Sequence, residues 1–448
     1  MSSPSASIES APSVLRNSDL AEIVSEARER YAAARPRSRA LHDRARQVMP
    51  GGNTRSVLAY GPFPTAMARG EDCRLWDLDG HEYLDLCGEY TAGLFGHSEP
   101  RVHAALRAAL GRGVNLAAVG EAEERLARLV CDRFPSIDLV RFTNSGTEAN
   151  LMALMAARAF TGRSHVLAFR GGYHGGVLTF PLAGPSPAAV PIPTVMADYN
   201  DADAASALIR AHADALAAVI VEPMLGSGGC ISGHPEFLAA LREATRAAGA
   251  LLVFDEVMTS RMSAGGQQAR LGITPDMTTL GKYVAGGMSF GAFGGRADVM
   301  GLFEAALPHA GTFNNNVLSM AAGIVAMGEI FTADAAEALF ARGAALRDAL
   351  NAACRAAAVP MQFTGLGSMA TAHFRPGPID QPYVSTPVEE GLRELFFLDL
   401  LEAGIYVARR GMTALSLPVG EAELQRYVAA VGEFAHARGA LLRDAGAM

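Results

Sequence analysis

Lysine is almost absent from this 448-residue chain: of 38 basic side chains, 37 are arginine and one, Lys282, is lysine. Arginine therefore carries surface charge and ion pairing throughout, and a need for a generic cation does not account for the exception. What arginine cannot do is lose its proton and attack a carbonyl, whereas a desolvated lysine can. Cysteine is scarce too. Cys73, Cys87, Cys131, Cys230 and Cys354 are odd in number, far apart and without CxxC spacing. That pattern argues against a disulfide framework or a zinc site and for a reducing compartment. No run of about 18 apolar residues is present to span a bilayer. The opening Met1-Ser2-Ser3-Pro4-Ser5-Ala6 lacks a basic region followed by an apolar stretch, so a cytoplasmic protein is expected. A net charge of -8 gives no footprint for nucleic acid. The arginines between Arg28 and Arg46 are interleaved with Glu29 and Asp43 and read as a solvated helical face.

What is present is a long apolar chain, half hydrophobic and 19% charged, enough for a large core domain and a smaller one. Residues 1–18, rich in Ser, Ala and Pro, read as a disordered tail. A helix is expected from Asp19 to Ala34, with Ser18 or Asp19 as N-cap, and Pro36 stops it. Segment 19–70 is assigned to the small domain, 71–330 to the large one and 331–448 to the small one again. Residues 74–85 alternate around Asp79-Gly80 as a hairpin. From about residue 100, short apolar strands (139–143, 165–169, 218–221, 251–254 and 291–294) alternate with helical stretches (121–133, 146–161, 203–213 and 235–248). Such alternation implies an α/β fold with a mostly parallel sheet covered on both faces. After residue 317 come helices at 317–331, 335–356, 389–402 and 421–442, with strands near 361–364 and 369–374, a second, α+β domain.

In an open α/β sheet, ligands lie outside the carboxyl ends of the strands, and the chemistry-bearing residues cluster there. Strand 139–143 runs into Asn144-Ser145-Gly146-Thr147-Glu148, where free backbone N–H groups, two hydroxyls and the positive end of a helix dipole suit a phosphate. An ordinary N-cap with Glu148 in the first turn explains the same residues. Strand 251–254 ends in Asp255-Glu256-Val257, and a buried carboxylate requires a partner such as a pyridinium N–H. Phe169-Arg170-Gly171-Gly172-Tyr173-His174 offers Tyr173 for stacking on a flat ring, with His174 at its edge, and Val221-Glu222-Pro223 offers an acidic group beside it. Lys282 lies in the apolar, Gly-rich stretch 278–288, which suits a desolvated amine beside a close ligand. Lys282 is therefore read as a Schiff-base lysine for pyridoxal 5'-phosphate (PLP). Asp255 would keep the ring nitrogen protonated, which makes PLP an electron sink.

These motifs, together with Thr279-Leu280-Gly281-Lys282 and Gly311-Thr312-Phe313, occur in the order and spacing of the class III PLP-dependent aminotransferases, which the chain resembles over about residues 40–440. The resemblance implies fold type I, with a mostly parallel seven-stranded sheet, and a homodimer with sites at the subunit interface. It further implies ping-pong amino transfer. Ser145, Gly146 and Thr147 would then hold the phosphate, and Thr312 would reach the phosphate of the partner subunit. Tyr173 and Val257 would cover the two ring faces, Glu222 would lie near the ring hydroxyl, and Asp255 would pair with the ring nitrogen. Two subgroups compete. Residues 255–259 and 278–288 are similar to glutamate-1-semialdehyde aminomutase. That enzyme, however, carries Gly-Phe-Arg where this chain has Ser260-Arg261-Met262. Gly311-Thr312-Phe313-Asn314-Asn315-Asn316 and Ala408-Arg409-Arg410-Gly411 resemble the β-phenylalanine aminotransferases. In those, Arg55 is expected to bind the carboxylate of an aromatic β-amino acid, and Arg410 that of a 2-oxo acid, 2-oxoglutarate or pyruvate. A catalytically silent PLP-fold binding protein is the rival from another class, and Lys282 with Asp255 argues against it.

Overall fold

The computed structural model describes residues 14–446. The central sheet has seven strands: β1 (Leu139–Thr143), β2 (His165–Phe169), β3 (Thr194–Ala197), β4 (Leu216–Val221), β5 (Leu251–Asp255), β6 (Met277–Gly281) and β7 (Gly291–Gly295). Their spatial order is β1-β7-β6-β5-β4-β2-β3. Only β7 runs antiparallel to its neighbours. The remaining pairings are parallel, so the sheet is the mostly parallel, seven-stranded one expected.

Alternation along the strands sets the layers. Val166, Ala168, Ala218, Ile220 and Val253 pack with Ala149, Ala153, Leu154, Ala156 and Ala157 of helix Gly146–Thr161 on one face. The intervening residues Leu167, Phe169, Val219, Val221, Leu252 and Phe254 pack with Ala205, Ile209, Phe237, Leu238 and Leu241 of helices Ala202–Ala211 and Pro235–Ala248 on the other. A sheet buried on both faces needs strands that are apolar throughout, which is why they read as continuous runs. The alanine-rich face of helix 146–161 brings its N-terminus close to the carboxyl ends of β5 and β6.

Smaller sheets lie outside the central one. A four-stranded sheet joins Met67–Glu71, Arg74–Asp77 and Glu82–Asp85 to Ile405–Tyr406, so a boundary drawn at residue 70 divides a sheet. Gln362–Leu366, Met369–His373 and Met412–Ala414 form a three-stranded sheet. The N-terminal helix spans Val14–Ala34. It starts before the expected N-cap at Ser18 or Asp19 and takes in the last residues of the expected tail, while residues 1–13 lie outside the described residues. Its Leu20 packs against Gly391 of helix Pro387–Glu402, and Arg28 makes a two-pronged ion pair with Glu394 at 2.6 and 2.8 Å. The last expected helix is two, Glu421–Ala437 and Gly439–Gly446, which meet at Arg438.

Candidate active site

Five strand ends converge, those of β1, β2, β4, β5 and β6. β5 and β6 are paired in register with Asp255 opposite Thr279, so the aspartate that ends β5 and the lysine just after β6 share one edge of the sheet. Asp255 is 4% exposed. Its carboxylate accepts from the Val257 N–H at 3.0 Å and the Asn150 Nδ2 at 2.8 Å, and it pairs with His174 Nδ1 at 2.7 Å. Burial alone would lower the His174 pKa, yet the bond to Asp255 raises it above the ordinary histidine value. Asp255 is thus a buried carboxylate faced by an imidazole, an amide and a backbone N–H.

Lys282 follows β6 in a left-handed conformation, φ 55°, a sparsely populated state for a side chain with a Cβ and one that collects at functional sites. Desolvation lowers its pKa to about 8; Asp255 and Glu222 oppose the shift, and Arg410 and Arg55 reinforce it. A fraction of a tethered amine in this position is neutral near pH 8 and able to act as a nucleophile.

At the start of helix 146–161, Ser145 is both the expected phosphate residue and an N-cap: its Oγ accepts from the Glu148 N–H at 3.2 Å, and Glu148 Oε2 accepts from the Asn144 N–H at 2.9 Å. The first-turn N–H groups of Gly146 and Thr147 have no partner within the helix. A Cβ on Gly146 would lie 2.9 Å from Val257 Cγ2, and one on Gly175 would collide with Thr147. Glycine at both positions lets the helix end, Val257 and the Tyr173-His174-Gly175 turn close on one space. Tyr173 is 45% exposed. Its N–H donates to Glu222 Oε1 at 2.9 Å, and the other Glu222 oxygen accepts from the Gly226 N–H at 3.0 Å. Burial, with the neighbouring Asp255 charge and against the pull of His174, raises the Glu222 pKa to about 7.

A helix N-terminus, a buried carboxylate, a desolvated amine and glycines that admit a flat group at close range fit pyridoxal phosphate. Bound there, PLP supplies an electron sink for the bond broken at the amine-bearing carbon.

The two expected arginines meet at a residue the motifs do not single out. The Arg55 and Arg410 guanidinium carbons lie 5.4 and 5.2 Å from the centre of the Tyr90 ring. Arg55 also forms an ion pair with Glu89. Arg410 donates to Met412 Sδ at 3.0 Å, its Nε is buried without a partner, and no carboxylate pairs with it among the described residues. The neighbouring Arg409 differs, since it pairs with Glu394 at 3.2 Å. Thr312 stands exposed on a loop tethered by Asn144 Nδ2 donating to Asn314 Oδ1 at 2.9 Å. Sequence reasoning also misses Asn150, whose Nδ2 donates to Asp255 and to the His174 carbonyl while its Oδ1 accepts from Thr279 Oγ1 at 2.6 Å. A signal for it exists, because Asn150 shares the helical face of Ala149, Ala153, Leu154 and Ala157, where a buried polar group demands partners.

The family model for class III aminotransferases matches residues 57–419. A β-phenylalanine transaminase from Variovorax paradoxus is 53% identical over 424 residues, 94% of this chain and 98% of that protein. The solved structure of a β-phenylalanine aminotransferase from Variovorax paradoxus superposes with a TM-score of 0.93 at 52% identity, covering 94% of this chain and 99% of the other. A glutamate-1-semialdehyde 2,1-aminomutase from Heliobacterium modesticaldum is 36% identical over 418 residues, 89% of this chain and 96% of that protein. The chain belongs to the class III aminotransferases and is a PLP-dependent transaminase of fold type I.

Proposed function

We propose that this transaminase takes the amino group from an aromatic β-amino acid of the β-phenylalanine type and passes it to a 2-oxo acid, 2-oxoglutarate or pyruvate, in two successive half-reactions. The observation that carries the reading is Arg410. It is a guanidinium with an unpartnered buried Nε and no carboxylate of its own, close enough to Lys282 to lower the pKa of that amine. An acceptor carboxylate would supply the missing counter-charge through a charge-assisted pair. Arg55, across the Tyr90 ring, is assigned to the donor carboxylate. The neighbouring wall of Met224, Met258, Met262, Met369 and Met412 with Cys87 and Cys230 is soft enough to repack around an aromatic ring. In this reading Lys282 carries the cofactor and moves the proton at the amine-bearing carbon. Ser145, Gly146 and Thr147 hold the phosphate, Tyr173 and Val257 cover the ring, Glu222 lies on its hydroxyl side, and Asp255 pairs with the ring nitrogen.

We place this chemistry in a cytoplasmic homodimer in which Thr312 of each subunit completes the phosphate site of the other. Val114, Leu116, Val119 and Phe313 are exposed apolar side chains. Asn315, on the loop of Thr312 and Phe313, donates to the Ala118 carbonyl at 3.1 Å. They form a surface of the kind that seeks a partner.

The two arginines should separate the two halves of the reaction. Arg55→Ala is expected to slow the donor half-reaction with β-phenylalanine and to spare the 2-oxo acid half. Arg410→Ala is expected to do the reverse. Loss of a charge-assisted contact costs about 1.5–3 kcal/mol, roughly ten- to a hundred-fold in the affected half. Single-turnover rates of each half-reaction in each variant test the assignment, and equal damage to both halves would defeat it. Stoichiometric conversion of 2-oxoglutarate to glutamate with β-phenylalanine as donor separates this activity from an aminomutase, which needs no separate acceptor.

A further inference from the structure

Residues 88–91 form a turn that the reaction described above leaves without a role. Gly88, Glu89, Tyr90 and Thr91 are all left-handed, with φ of 52°, 47°, 53° and 81°. Three consecutive residues with a Cβ in that region are costly and persist only where the surroundings over-determine them. Those surroundings are visible. Asp85 Oδ1 accepts from the N–H groups of Cys87 at 2.9 Å and Gly88 at 3.0 Å, while Asp85 Oδ2 is held by His97 Nε2 at 2.9 Å. Arg261 Nη1 donates to the Thr91 carbonyl at 3.4 Å. The Tyr90 hydroxyl reaches the Val57 carbonyl at 3.4 Å, which ties the turn to the segment that carries Arg55. The backbone is therefore fixed, and it presents two side chains to the arginines: the Tyr90 ring beside both, and the Glu89 carboxylate paired with Arg55. Tyr90 is buried, whereas the Glu89 side chain is 54% exposed and has room to turn toward solvent.

We infer that Glu89 is a specificity-determining residue: its carboxylate stands in for that of the donor on Arg55, and a donor must displace it to bind. The inference rests on the reading of Arg55 as the donor carboxylate site. The ring of Tyr90 keeps the guanidinium in place during the exchange, so the site is emptied by a side-chain rotation of Glu89 without movement of the turn. A donor with a carboxylate recovers the lost pair by making its own. An aromatic amine without a carboxylate leaves Glu89 on Arg55. Arg410, which has no such internal partner, is open to its ligand from the start. The internal competition is asymmetric, weakening the donor and leaving the 2-oxo acid untouched.

The competing pair is solvent-exposed, and pairs of that kind shift an equilibrium by roughly two- to five-fold. Glu89→Gln is thus expected to lower the KM for β-phenylalanine by that factor, with no gain for 1-phenylethylamine, which lacks the carboxylate. Calorimetric titration of the holoenzyme with 3-phenylpropanoate, which has the carboxylate and no amine, should show affinity rising by the same factor. Glu89→Asn, whose shorter side chain suits a left-handed backbone, should reproduce the gain and guards against misfolding of the first variant. In an Arg55→Ala background the Glu89→Gln change should have no effect. Unchanged or weaker 3-phenylpropanoate binding in both Glu89 variants, with Arg55→Ala still weakening it, would mean that Glu89 orients Arg55, and would overturn the inference alone. Unaltered 3-phenylpropanoate binding in Arg55→Ala would overturn it together with the reading of Arg55.

Discussion

Lys282→Arg is expected to reduce transamination below detection while the thermal unfolding of the protein changes little. The substitution keeps the cation and removes the nucleophile. At Lys282 desolvation has already lowered the pKa to about 8, so a neutral amine is accessible; a guanidinium stays charged in any protein environment and cannot take its place. Charge and position are nearly conserved, and the added bulk costs on the order of 1–3 kcal/mol of packing, a loss visible as a modest shift in melting temperature. The composition sharpens the test, since the chain has no second lysine. Borohydride reduction of the wild-type holoenzyme should therefore fix cofactor on the peptide containing Lys282 and on no other side chain, and should fix none on a side chain of the arginine variant. Wild-type turnover in that variant would remove Lys282 from the chemistry.

The same arithmetic of residue types made much of the molecule legible before the fold was known. Strands β1 and β2 and helices 121–133, 146–161 and 235–248 lie where the pattern put them, because apolar runs flanked by caps, prolines and glycines have few alternative readings. Two strands of the central sheet escaped. β6 is fully buried but reads Met-Thr-Thr-Leu-Gly. Its threonine hydroxyls are satisfied internally, Thr278 by Ser136 at 2.7 Å and Thr279 by Asn150 at 2.6 Å, so a polar-looking segment hides a core strand. β3 is four residues long, half-buried, at the sheet edge and preceded by Pro191 and Pro193, which read as loop. At the site, strand-end residues announce themselves by breaking an apolar run, as Asp255 and Glu222 do. The turn at 88–91 announces nothing, since its left-handed backbone is imposed by Asp85, His97 and Arg261, the last of which lies 170 residues from Thr91 along the chain.

Asp255→Asn is expected to leave a folded protein that retains cofactor but performs the donor half-reaction at least about a hundred-fold more slowly, the scale on which one preorganised charge-stabilising group acts in a water-excluded site. An amide cannot hold a ring nitrogen in its protonated form, and without that proton the cofactor loses its pull on the electrons of the breaking bond. The surroundings make the effect larger than loss of one contact. Asp255 accepts from Val257 and Asn150 and pairs with His174. An asparagine with its Nδ2 toward Asn150 and His174 confronts donors with a donor, while the reverse orientation confronts the Val257 N–H. In the first orientation the histidine proton held by the carboxylate loses its partner as well, and in the second it keeps only a neutral amide oxygen. His174, whose raised pKa depends on Asp255, should fall back as burial takes over, and this gives a readout separate from rate. The imidazole resonances of His174 in the asparagine variant should titrate at lower pH than in the wild type. The half-reaction is followed with β-phenylalanine alone through the cofactor absorbance. A wild-type rate of conversion to the pyridoxamine form would sink the assignment, whatever His174 does. A slow rate with an unshifted His174 titration would keep Asp255 at the cofactor and dissolve the coupling to His174.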